Sequence, residues 1–207
     1  RLYFLQSVFM LFWGLILMHS LEQKILREGS VLEGDVLKVG SFLNQQLDVD
    51  FLVEMGKKID RIYKNDGVTK LLTVEASGIA IAVAAGTVMH LPVVFAKKNK
   101  SSNVSGAVYT ANVHSYTHNT DYDIVVSKDY LNEKDRVVII DDFLANGKAL
   151  EGLIEIVNQS GATLIGATCA IEKGFQNGGD RLREQGIRVE SLAIIERMED
   201  GNIIFRN

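Results

Sequence analysis

Two rhythms of apolar and polar residues alternate along the chain. A helical rhythm runs through FLVEMGKKIDRIYKN, where Phe51, Leu52, Met55, Ile59 and Ile62 share one face. It returns in SGIAIAVAAGTVM (residues 77–89) and in KALEGLIEIVNQSG (148–161), which stops at Gly161, and RLREQG (181–186) predicts a short helix. Between these lie apolar runs of strand length: TKLLTVE, VVFAK introduced by Pro92, RVVIID, TLIGATCAIEK, and RVESLAII as the last core strand. Strand alternating with helix predicts an α/β fold, a mostly parallel twisted sheet flanked by helices on both faces. Between residues 100 and 127 the pattern changes. SSNVSG has the composition of a mobile loop, and AVYTANVHSY and YDIVVS predict an antiparallel pair. There is no internal repeat.

The N-terminal run RLYFLQSVFMLFWGLIL breaks both rhythms, since Arg1 is its only charge. Its length is near the minimum for a membrane span or suits a signal-peptide core, but Met18-His19-Ser20 offers no small-x-small cleavage site. From Met18 the chain resumes an amphipathic pattern, with Ser20 placed to cap a helix and Gln23 at the capping-box position. The expectation is therefore an apolar extension over residues 1–17 outside the functional fold, and one domain over 18–207. A membrane anchor is the competing expectation, and it depends wholly on residues 1–17.

Composition changes this picture little. Of 207 residues, 47% are hydrophobic and 23% charged, as in ordinary soluble domains, and a net charge of −4 argues against broad nucleic-acid binding. The single cysteine, Cys169, sits in the apolar run LIGATCAI and is expected to be a buried, inert thiol. His114 and His118 are four apart, but in a segment that predicts a strand, so they are expected to be structural or surface residues rather than metal ligands.

In an open parallel sheet, ligands bind at the carboxyl ends of the strands. Three segments there carry chemistry: the turn after TVE at 75–78, DDFLANGK at 141–148, and EKGF at 172–175. The second lies within VVIIDDFLANGKAL (137–150). It is no Walker A loop, because Asp142 stands where the first glycine belongs and Ala149 where Ser or Thr belongs, and the chain contains no GxGxxG. What remains is a strand-to-helix turn whose amides, over residues 144–149, form an anion seat at a helix N-terminus. Two adjacent acids would repel a free polyphosphate, but they suit a ligand with hydroxyls close to one phosphate, such as ribose 5-phosphate. The alternative is that the acids merely end a strand and cap the next helix.

VVIIDDFLANG, with LEGDVLKVGSFLNQQLD, TVEASGIA, VFAKKNKS and AIEKGF, resembles the type I phosphoribosyltransferases, and among them the bacterial subfamily that uses xanthine. The similarity runs from Met18 to the C-terminus and leaves residues 1–17 without a counterpart. It implies a small N-terminal hood over residues 18–50 and a catalytic core over 51–207. Ala145, Asn146, Gly147, Lys148 and Ala149 would hold a phosphate of 5-phosphoribosyl 1-pyrophosphate (PRPP), with Lys148 where many relatives have Gln. Asp141 and Asp142, the candidate catalytic pair, would hold the ribose hydroxyls. Glu75, Ala76, Ser77 and Gly78 would form the pyrophosphate loop, with Ala76 replacing a usual serine; Ser77 also reads as an ordinary helix cap. Lys98 would neutralise the leaving group while the loop at 100–106 closes. Leu37, Asn44, Lys173 and Phe175 would read the purine, Lys173 at O6, although Phe175 could equally be packing.

The resemblance further implies Mg2+ arriving with PRPP rather than in an all-protein cage, a homodimer, a cytoplasmic location, and no nucleic-acid or membrane partner. The expected reaction is transfer of phosphoribose from PRPP to N9 of xanthine, in purine salvage. Its rivals are a hypoxanthine/guanine transferase and, less favoured for want of a basic module, a non-catalytic PRPP-sensing regulator.

Overall fold

The computed structural model describes residues 21–32, 34–98, 106–115, 120–199 and 201–206. The apolar run 1–17, the Ser20 cap, loop residues 100–105 and His118 lie outside the described residues.

The chain opens with helix α1 over residues 21–28, then a hairpin of β1 (Ser30–Leu32) and β2 (Val36–Lys38), then a π-helical turn, Gly40–Asn44. The core follows as α2 (Val49–Tyr63), β3 (Lys70–Val74), α3 (Gly78–Met89), β4 (Val93–Lys98), β5 (Val108–Ser115) and β6 (Thr120–Ser127). It ends with β7 (Arg136–Leu144), α4 (Lys148–Ser160), β8 (Thr163–Lys173), α5 (Gly178–Glu184), β9 (Val189–Glu199) and β10 (Asn202–Phe205).

Eight strands form one sheet in the order β10-β9-β8-β7-β3-β4-β6-β5. The central strands β9, β8, β7, β3 and β4 are parallel, while β10 and the β5–β6 pair add antiparallel edges. The central strands read as continuous apolar runs because both faces are covered. Val138 and Ile140 pack with α2 and α3 on one side, and Val137 and Ile139 with α4 on the other.

Two departures from the sequence pattern concern where core strands end. β7 does not stop at Asp141; Phe143 and Leu144 pair with Ile171 and Glu172 of β8, so both acids lie within a strand rather than in a turn. β9 runs past Ile195 to Glu199 because β10 folds back on it. Cys169 is buried, as expected.

The N-terminal elements are not a loose cap. Leu37, Val39, Phe42 and Leu43 belong to the same core cluster as Ile59, Ile81 and Ile140. Lys24 fastens α1 to the start of α2: its ammonium donates to Asp48 Oδ2 at 2.6 Å and stands 5.3 and 5.0 Å from the ring centres of Phe42 and Phe51. Asp48 in turn caps α2 by accepting from the Phe51 amide at 3.1 Å. Leu43, fully buried in the π-turn, should therefore behave as a core residue. Leu43→Ala is expected to cost about 2–5 kcal/mol in urea denaturation; a loss below about 1 kcal/mol would mean that the hood packs separately.

Candidate active site

Because β8, β7 and β3 are parallel neighbours, the three segments picked out at strand ends lie side by side at one edge of the sheet. β7 supplies Asp141 and Asp142 in the middle of that edge. Asp141 is buried at 6% exposure, and its Oδ1 accepts from the Asp142 amide at 3.0 Å. Burial raises its pKa well above the usual carboxylate range, and the neighbouring Asp142 charge adds to the rise. Burial also raises Asp142, against hydrogen bonds from its surroundings that include the Asn44 side chain. Asn44, expected only at the purine, is thus brought onto the carboxylate pair.

The β3 side of the edge is the Glu75–Gly78 turn, whose Glu75–Ala76 peptide is cis. Glu75 Oε1 accepts from the Lys98 amide at 2.6 Å, tying the turn to the end of β4. Ser77 precedes α3 in a helical conformation and makes no side-chain cap, so the ordinary capping role does not account for it. Gly78 allows the first turn of α3 to press on β3 and β7. A Cβ there would meet Thr73 Oγ1 at 2.3 Å and Asp141 Oδ1 at 3.0 Å, and the fully buried Thr73 hydroxyl has no hydrogen-bond partner among the described residues. The Lys98 ammonium stands 5.4 Å from the centre of the Tyr122 ring, close enough for its charge to favour ionised Asp141.

Beyond Leu144 the chain turns through Ala145 and Asn146 into α4. Gly147 provides the turn with φ of 82°, a left-handed value that a residue with a Cβ adopts only with strain. The turn lines a cavity of about 150 Å³, whose other walls include Val113, Tyr122 and Phe143. Ala145, Asn146, Gly147, Lys148 and Ala149 all line it. The Asn146 side chain accepts from the Lys148 amide at 3.1 Å, and the Lys148 ammonium is bound to Glu151 at 2.8 Å. Both the amide and the ammonium of Lys148 are thus engaged within the turn and the first turn of α4.

At the β8 end, the Lys173 ammonium donates to the backbone oxygen of Asp35 at 2.8 Å, in the turn between β1 and β2. It also stands 6.0 Å from the centre of the Phe143 ring, and burial holds its pKa below the ordinary lysine value. The ammonium has three donors, so the Asp35 contact leaves capacity for a ligand oxygen. Leu37, on β2 of the hairpin, is buried, and Phe175, partly exposed, packs on the same core cluster. Phe143 was missed in the sequence although it lies within the quoted motif; it looked like the start of the turn. Asp35 gave no sequence signal at all, since its contact is a backbone carbonyl 138 residues away.

Residues 46–196 match the family described as Phosphoribosyl transferase domain, and the chain belongs to that family. It is 50% identical to a xanthine phosphoribosyltransferase of Lachnoclostridium phytofermentans over 91% of this chain and 98% of that one. It is 52% identical to the enzyme of that name from Ruminiclostridium cellulolyticum, over 91% and 99%. Among solved structures, it superimposes on an adenine phosphoribosyltransferase of Trypanosoma brucei in complex with AMP, pyrophosphate and ribose-5-phosphate. That match has a TM-score of 0.70 and 18% identity, and covers 84% of this chain and 79% of the other. The fold is that of the type I phosphoribosyltransferases.

The raised carboxylates make a prediction about stability. A folded-state pKa above the unfolded value means that ionisation opposes folding, so stability falls as pH rises from the ordinary carboxylate value through the raised one. Asp141→Asn cannot ionise. It should raise the thermal midpoint of the ligand-free protein at neutral pH, by about 2–4 °C per kcal/mol relieved. The gap should close in acid, where the wild-type pair is protonated. A variant less stable than wild type at neutral pH would contradict the electrostatic cost assigned to the pair.

Proposed function

We propose that this protein transfers the 5-phosphoribosyl group of PRPP to N9 of xanthine, giving xanthosine 5′-phosphate and pyrophosphate in purine salvage. One observation carries the reading: an adjacent carboxylate pair on β7, with Asp141 buried and Asp142 half-buried, sits between the turn into α4 and the end of β8 that bears Lys173. The identity of about 50% to xanthine phosphoribosyltransferases over nearly the whole chain supports this acceptor over hypoxanthine or guanine.

In this reading the amides of residues 145–149 seat the 5-phosphate, helped by the N-terminal dipole of α4. Asp141 and Asp142 accept from the ribose hydroxyls. The Glu75–Gly78 turn and Lys98 receive the pyrophosphate. Lys173 donates to O6 of the purine, a charge-assisted bond contributing about 1.5–3 kcal/mol, with Leu37, Phe175 and Phe143 bounding the ring. Asn44 joins the acceptor site to the ribose site through Asp142. As pyrophosphate leaves, C1 becomes oxocarbenium-like and N9 attacks it. The protein contributes alignment and preorganised charge rather than a covalent bond.

Among the described residues, no group of three His, Cys, Asp or Glu could hold a metal. The carboxylate pair nevertheless fits Mg2+ that brings its other oxygen ligands from PRPP. Bound in this way, the ion would neutralise charge on the departing pyrophosphate.

We assign residues 18–50 to the hood and 51–207 to the core. We also infer a homodimer: the exposed Phe95 and Tyr130 line a groove of about 530 Å³ with Pro92, Val93 and Val94, an apolar surface suited to a second copy. Among the described residues no helix is long and apolar enough to cross a membrane. We place the enzyme in the cytoplasm, because a phosphorylated donor does not cross lipid unaided.

Parallel assays of the purified dimer with xanthine, hypoxanthine and guanine test the acceptor, and a preference for either alternative base would overturn it. Asp142→Ala should lower kcat/KM for PRPP by about a hundredfold or more. Lys173→Ala should raise the xanthine KM selectively. Unchanged constants in either variant would remove that residue from its assigned place.

A further inference from the structure

The two-turn helix α5 touches both halves of the site, and no role in binding accounts for it. Its first two residues are glycines pressed against different partners. A Cβ on Gly178 would lie 2.2 Å from the Ala145 carbonyl oxygen and 2.7 Å from the Gly147 nitrogen, so this residue abuts the phosphate turn directly. A Cβ on Gly179 would lie 2.1 Å from Glu172 Oε1. Glu172 is the residue before Lys173.

Two arginines repeat this division. Arg181 Nη2 donates to the Asn146 carbonyl at 2.7 Å and to Glu151, which also holds the Lys148 ammonium. Arg183 forks onto Glu172, with Nη1 to Oε1 at 2.9 Å and Nη2 to Oε2 at 2.7 Å. The Ser191 hydroxyl also donates to Glu172, whose carboxylate is 1% exposed. A carboxylate buried so deeply persists only with such partners, and a bidentate pair fixes its direction as well as its charge.

We propose that α5 is a brace for both subsites. Arg181 is a positioning residue for the phosphate turn, and Arg183, acting through Glu172, is a positioning residue for the purine-reading Lys173. The inference rests on the site assignment of the preceding subsection. Arg181 holds the Asn146 carbonyl and so fixes the peptide units of the turn that lines the cavity. Glu172, held on both oxygens, sets the direction in which β8 delivers its next side chain. Neither arginine touches a substrate, so each should act on one Michaelis constant rather than on the chemical step.

The test is a set of initial-rate measurements in which both substrates are varied. Arg181→Gln is expected to raise the KM for PRPP about tenfold while the xanthine KM and kcat stay within about threefold. Arg183→Gln is expected to show the opposite split, with xanthine affected. Glu151→Gln and Ser191→Ala are milder removals on the same two sides; they should give the same splits at smaller size, and they decide the matter if the arginine variants do not fold. Equal effects on both constants, or a lower thermal midpoint with both constants unchanged, would overturn the brace. Asp142→Ala assayed alongside separates the two levels. If it keeps a normal rate, the site assignment itself falls. If it loses activity while the arginine variants show no split, only the brace falls.

Discussion

The site depends on one electrostatic imposition: two adjacent carboxylates at the end of a buried strand. Desolvation opposes the ionisation of both, and the charge of Asp142 further opposes that of Asp141. Such a pair is held in place only if its strand cannot move away, and β7 is fixed on both sides by parallel partners, β3 and β8. The neighbouring parts are shaped around it. Gly78 gives α3 room against Asp141, and Asn44 reaches Asp142 from the hood. In the proposed reading, sugar hydroxyls and a cation carried by the donor would replace the missing water. Function is thereby placed where the ligand-free fold is least comfortable.

In the proposed reading, the same geometry lets one strand edge serve two substrates. The carboxylates stand between the turn at residues 145–149 and Lys173, so a ribose bound to them has its phosphate on one side and a purine on the other. The N-terminal elements assigned to the hood also hold two of the proposed site residues. Its hairpin turn holds the Lys173 ammonium through Asp35, and its π-turn presents Asn44 to the carboxylates. Its packing into the main core through Phe42 and Leu43 makes this placement rigid.

The sheet was legible in the sequence because buried parallel strands are written as unbroken apolar runs, and RVVIID and TLIGATCAIEK left little choice. The convergence of three strand ends followed from that. Less visible were features set by distant partners. β7 continues through Phe143 and Leu144 because β8 pairs with them, although two acids looked like a stop. The strands β1 and β2, three residues each, and β10, four residues, are too short to show an alternating rhythm. The sequence marked Glu172 only as part of EKGF, and Arg181 and Arg183 only as part of a short helix, with nothing to link them. Only the folded chain brings α5 against the ends of β7 and β8. Lys148, expected at the phosphate turn, does line the cavity there, with its side chain engaged by Glu151 and its amide by Asn146.

The most direct test of the account is a crystal structure of the protein with Mg2+ and PRPP, or with a non-reacting PRPP analogue. The account predicts the 5-phosphate within hydrogen-bond distance of the amides of residues 145–149 and the ribose hydroxyls on Asp141 and Asp142, with pyrophosphate against the Glu75–Gly78 turn. A phosphate seated elsewhere, or carboxylates turned away from the sugar, would contradict it.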